Sequence, residues 1–75
     1  MKDIYAEKYR QIGLKIAYYR KLRGMTQEAF ADKIGKSWSY IAKIESPTRA
    51  FGVSMETLFA IADALDVPVA KLFDD

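Results

Sequence analysis

With 75 residues, 51% of them hydrophobic and 29% charged, the chain is expected to form one small globular domain over 1–75, which excludes a second domain and a disordered polar chain. It has no cysteine to staple so small a core and no histidine, so Ser-His and Cys-His nucleophile pairs and most zinc constellations are excluded and an enzyme is not expected. The net charge of +2 conceals a division: residues 1–49 carry 11 Lys and Arg against 5 Asp and Glu, whereas residues 50–75 carry 1 against 5, the pattern of one face for a polyanion and another that avoids it.

Tyr5 and Tyr9, then Ile12, Ile16 and Tyr19, follow helical spacing, which predicts a first amphipathic helix from about Tyr5 to Leu22, ended by Gly24. Residues 1–9 either lengthen this helix or swap onto a neighbour. Thr26 is placed to cap a second helix, with Glu28 against its positive end and Ala29, Phe30, Ala31 and Ile34 as its buried side; Gly35 closes it after about two turns. Ser37 caps a third short helix with Ile41 and Ile44 on one side, stopped by Ser46-Pro47. Pro47 to Val53 has no helical period and reads as an ordered loop. Ser54 caps a fourth helix whose Met55, Leu58, Ile61, Ala62 and Leu65 form a core face, and Pro68 opens a final turn or two carrying Leu72 and Phe73. The expectation is all-α, five helices and no strand.

No apolar run approaches the roughly 20 residues that cross a bilayer, and Met1-Lys2-Asp3 leads into mixed charge, so a cytoplasmic protein without membrane contact is expected.

The segment Thr26 to Glu45 carries the functional signal. Two short helices joined through Gly35-Lys36-Ser37 must cross steeply, leaving the polar face of the second projecting, a shape that suits a DNA major groove. Gln27-Glu28-Ala29-Phe30-Ala31, Gly35, Ile41 and Ile44-Glu45, preceded by Arg20 and followed by Ser54 to Leu58, Ile61-Ala62, Leu65 and Leu72-Phe73, resemble the Cro/CI-type (XRE-like) helix-turn-helix regulators. The similarity spans about residues 10–73 and implies a compact, lambda-repressor-like five-helix domain that binds double-stranded DNA.

Carried onto matching positions, the resemblance implies that Gln27 contacts a phosphate and braces the recognition helix, that Ser37, Trp38, Ser39 and Lys43 reach base edges, and that Arg20 and Glu45 form an internal salt bridge. The residues themselves agree in part: a helix N-terminus attracts phosphate, Ser39 can bond several bases and Lys43 can donate to guanine. Lys36 in the turn and Arg49 in the loop are placed to neutralise phosphates. Tyr40 is open between packing and a phosphate hydrogen bond, and Trp38 between DNA contact and a partly buried anchor on the first helix. Lys15, Lys21, Arg23 and Lys33 read as phosphate contacts or as a solvated surface, and Tyr5, Tyr9 and Tyr19 as core or partner-facing residues rather than a base-stacking platform. Glu56, Asp63 and Asp66 read as solvated surface, not a metal or acid–base site. The loop departs from the family pattern in its length and in Pro47. Phe51, Val69 and Phe73 are candidate homodimer contacts, with core packing as their alternative.

The functional expectation is a sequence-specific transcriptional repressor that binds a palindromic operator as a homodimer and needs no cofactor, metal or small-molecule ligand. The alternative is a protein-interaction module of adaptor or antitoxin type that keeps the fold without binding DNA.

Overall fold

The computed structural model describes residues 3–73, and among them there are four α-helices, one 3-10 turn and no strand. Helix α1 runs Asp3–Leu22, α2 Gln27–Ile34, α3 Trp38–Ile44 and α4 Met55–Leu65, with the 3-10 turn at Val69–Leu72. The expected fifth helix is thus a single tight turn, and residues 3–9 continue α1. Met1, Lys2 and the two final aspartates lie outside the described residues, so the readings that involve them do not extend to those positions.

Local chemistry sets the boundaries. Thr26, Ser37 and Ser54 each sit in extended backbone and accept, through their hydroxyl oxygens, the amide N–H of the third residue on, the orphan donors of a first helical turn. Gly35 takes φ of 70°, and the amide of Lys36 reaches back to Ala31 O while that of Gly35 reaches Asp32 O, the paired bonds of a Schellman ending. Helix α4 ends in the same way, but at Asp66, with φ of 57°. Aspartate, whose short polar side chain can hydrogen-bond locally, tolerates this left-handed backbone better than most L-residues do.

The core is drawn from every element: Ile16 of α1, Phe30 and Ala31 of α2, Ile41 and Ile44 of α3, Leu58, Ile61, Ala62 and Leu65 of α4, with Val53 of the loop and Leu72 of the last turn. Two expected core residues are elsewhere. Ala29 is exposed, because the two-turn helix α2 has an inward stripe only wide enough for Phe30, Ala31 and the half-buried Ile34. Met55 is 49% exposed, because the first residue of α4 projects past the end of the core.

Gly13 explains how α1 and α3 come so close. A Cβ at this position would overlap the carbonyl oxygen of Ile44 and lie 3.1 Å from its carbonyl carbon, so only a residue without a side chain lets α1 cross the end of α3 backbone against side. Alanine normally favours a helix over glycine by about 1 kcal/mol. Here Gly13→Ala is expected to destabilise by about 1–3 kcal/mol instead, since the obstructing atoms are backbone and cannot rotate away. Urea unfolding of the two proteins tests this, and a gain in stability would mean that the helices are free to separate.

Candidate nucleic-acid interface

Helix α3 presents a narrow outward ridge. Ile41, Ile44 and Glu45 face inward and are buried, which turns Ser39 and Lys43, one helical turn apart, toward solvent. Ser37 lies beside the start of the ridge, its hydroxyl 3.1 Å from that of Ser39. A seven-residue helix has too little length to hold its own orientation. Contacts on both of its flanks do so instead.

The first set converges on Glu45, at the end of α3. Arg20 of α1 donates Nε to Oε2 at 2.7 Å and Nη2 to Oε1 at 2.9 Å, a two-point pair in which each residue is 7% exposed. Its remaining Nη1 donates to Met25 O at 2.7 Å, in the corner before α2. Gln27, the first residue of α2, donates Nε2 to Glu45 Oε1 at 3.0 Å, and its own Oε1 accepts the indole N–H of Trp38 at 3.0 Å. A continuous hydrogen-bond chain therefore runs from the buried guanidinium to the start of α3. Among the described residues no buried side-chain nitrogen or oxygen lacks a partner.

Of the two roles inferred for Gln27, the bracing contact is present in these bonds, and one Nε2 hydrogen is left for a further acceptor. Trp38 is 58% exposed and tied to α2, not a partly buried anchor on the first helix.

The second set lies on the loop flank. Half-buried Tyr40 meets Phe51 edge to face, with ring centres 5.6 Å apart at 87°. Lys36 Nζ stands 5.2 Å from the Tyr40 ring centre and Lys43 Nζ 6.0 Å from that of Phe51. Arg49, Ser46, Lys43 and Phe51 line one open cleft with Ala42 and Ala50. Arg10, ion-paired with Glu7, donates Nη1 to Pro47 O at 3.3 Å and ties this loop to α1. The sequence offered no sign of Arg10's role, because its partner is a backbone oxygen 37 residues away.

The structure separates some residues that the sequence grouped. Phe51 sits on the α3 flank, whereas Phe73 lines a different, apolar groove with Tyr5, Tyr9, Met55 and Leu58, and Val69 is half-buried against the core. Arg23 is no free surface cation: it donates Nε to Leu65 O at 2.8 Å and Nη2 to Asp66 O at 3.1 Å, capping the negative end of α4. Lys21 and Lys33 are exposed, and Lys15 is partly so.

A braced short helix with an exposed polar ridge, following a capped helix through a glycine turn, is the arrangement that the helix-turn-helix family model describes, and that model matches residues 16–72. The chain belongs to the XRE-type helix-turn-helix family. Among solved structures this helix-turn-helix protein is similar to the restriction-modification controller protein C.AhdI from Aeromonas hydrophila, at 27% identity and a TM-score of 0.80 over 89% of this chain and 98% of that one. It is also similar to SinR, the master regulator for biofilm formation, solved in complex with DNA: 35% identity and a TM-score of 0.76 over 84% of this chain and 98% of that one. The N-terminal DNA-binding domain of SinR from Bacillus subtilis matches at 33% identity and a TM-score of 0.77, over 88% and 94% of the two chains. No curated protein sequence matches significantly. The XRE-type family consists of DNA-binding regulators and not of enzymes, and this member is a DNA-binding transcription regulator. No described helix is long and apolar enough to cross a membrane, and no group of three or more acidic side chains among the described residues is arranged to hold a metal ion.

Breaking the ion pair from one side tests the brace. Arg20→Met leaves Glu45 buried and uncompensated and is expected to cost roughly 3–5 kcal/mol in urea unfolding, part of which Arg20→Met/Glu45→Leu recovers by removing the stranded charge. A loss under about 1 kcal/mol for the single variant would show the pair to be solvated.

Proposed function

We propose that this regulator is a repressor that binds a two-fold-symmetric duplex site as a homodimer, with one α3 in the major groove of each half-site. The observation that carries the reading is the exposed ridge of α3, held at a set angle by the hydrogen-bond chain Arg20–Glu45–Gln27–Trp38. A reading helix must arrive with its angle already set, because every degree of freedom frozen on binding weakens the complex.

In this reading residues 1–75 act as one DNA-binding unit in the cytoplasm. Ser37, Trp38 and Ser39 face base edges: the serine hydroxyls exchange hydrogen bonds with them, and the indole face packs on a thymine methyl or a sugar. Lys43, one turn on, lies where a guanine or a phosphate is within its reach. Gln27, Lys36, Tyr40 and Arg49 hold the sugar–phosphate backbone on either side, which sets register without reading sequence. SinR, a relative of similar fold, is solved in complex with DNA, which supports a duplex as the partner.

Two copies are needed because one short helix reads only a few base pairs, and two of them about 34 Å apart multiply the information. The dimer surface is assigned to Phe73 and the apolar groove that it lines with Tyr5 and Met55, together with the half-buried Val69, leaving Phe51 to α3. Repression follows from occupying promoter DNA, which requires no further contact surface.

Selection from a random duplex library, followed by anisotropy titration at two salt concentrations, is expected to enrich an inverted repeat, with binding that weakens steeply as salt rises. Equal and weak binding to selected and scrambled duplexes would favour a protein-interaction module. Ser39→Ala is expected to lose roughly 1–3 kcal/mol of affinity per base contact on the selected site, with the urea unfolding midpoint unchanged. A fall in stability of the same size would place Ser39 in the fold and not in the interface.

A further inference from the structure

Lys43 and Ser39 share one ridge, yet their surroundings differ. The hydroxyl of Ser39 stands 3.1 Å from that of Ser37, whereas the ammonium of Lys43 lies 6.0 Å from the ring centre of Phe51, at the outer limit of the range over which the negative face of an aromatic ring attracts a cation. The ring of Phe51 is itself held: it meets Tyr40 edge to face, and Lys36 stands over the Tyr40 ring. Two rings at right angles thus each carry one lysine. The loop beneath is anchored by Arg10 to Pro47 O and by hydroxyl contacts between Ser46 and Thr48. Lys43 shares its cleft with Arg49, a second cation, and with the hydroxyl-bearing Ser46, and Ala42, Ala50 and Phe51 supply the rest of its lining. Two cations and a hydroxyl beside apolar carbon suit a phosphate with its deoxyribose, not a base edge.

We propose that Phe51 is a positioning residue for DNA reading: it draws Lys43 off the base-facing ridge onto the sugar–phosphate backbone beside Arg49, so that Lys43 strengthens binding without contributing to sequence choice. The proposal rests on the DNA-reading function above and narrows it, leaving base recognition to Ser37, Trp38 and Ser39. Its chemistry is specific. An ammonium free of the ring would swing to the guanine acceptors within its reach, and an additional base preference would follow.

The test measures the parent protein, Lys43→Gln, Phe51→Leu, Phe51→Trp and Phe51→Leu/Lys43→Gln against the selected duplex and a panel of its single base-pair substitutions, over a salt series. Lys43→Gln, at an exposed position, is expected to weaken every duplex by the same factor and to lower the slope of log affinity against log salt by about one per bound subunit. Phe51→Leu is expected to reorder the panel through a new preference for guanine at one position. That preference should disappear in the double variant and be absent in Phe51→Trp, which keeps a ring; a merely structural role for Phe51 would change affinity and leave the ranking alone. Lys43→Gln relaxing the preference at one position, with the salt slope unchanged, would make Lys43 a base reader and overturn the proposal. A Phe51→Leu panel in the parent's order would overturn it too. If the parent itself discriminates between no duplexes, the DNA-reading function falls and the proposal falls with it.

Discussion

The buried pair of Arg20 and Glu45 is the interaction on which the rest of this small fold turns. Its members come from the first helix and the end of the third, and the same carboxylate receives Gln27 from the start of the second. Taking two charges out of water is costly, and a pair of well-packed apolar side chains would give comparable stability. Apolar packing would not fix direction. Three hydrogen bonds in a planar fork and amide set the angle between three helix ends, and in so short a bundle that angle decides where the third helix points.

Helix α3 is correspondingly a supported element and not a self-sufficient one. On one flank Trp38 donates to Gln27 and so reaches the ion pair; on the other Tyr40 and Phe51 pack edge to face. The two flanks differ in kind, since hydrogen bonds resist rotation about defined directions whereas edge-to-face rings and their lysines tolerate small shifts. Arg23 and Arg10 act in the same manner at longer range, closing two carbonyls and one carbonyl respectively that would otherwise depend on water. Several of the basic residues in the first two thirds of the chain are therefore structural, and the charge division overstates the number available to a polyanion.

Much of the architecture was legible because it is encoded locally. Thr26, Ser37 and Ser54 announce helix starts through bonds to residues three positions on, and Gly24 and Gly35 announce endings through a backbone conformation that few other residues accept. Periodicity located the core faces of the longer helices. It failed at their edges: Ala29 and Met55 fit a helical stripe but lie where short helices run out of core to bury them. Gly13 carried a signal, a glycine in mid-helix, whose meaning required knowing that α3 ends against it.

By itself the sequence determined the starts of α2, α3 and α4, the glycine turn between α2 and α3, and the polar ridge of α3, since each depends on neighbours within one or two helical turns. Only the tertiary structure decided that Arg23 caps α4, that Arg10 holds the loop, and that Phe51 lies beneath Lys43 and not beside Phe73. Those contacts join residues far apart in the chain, and several of them end on backbone oxygens, which every residue carries. Neither spacing nor composition distinguishes one such oxygen from another; only the fold brings a particular one within reach.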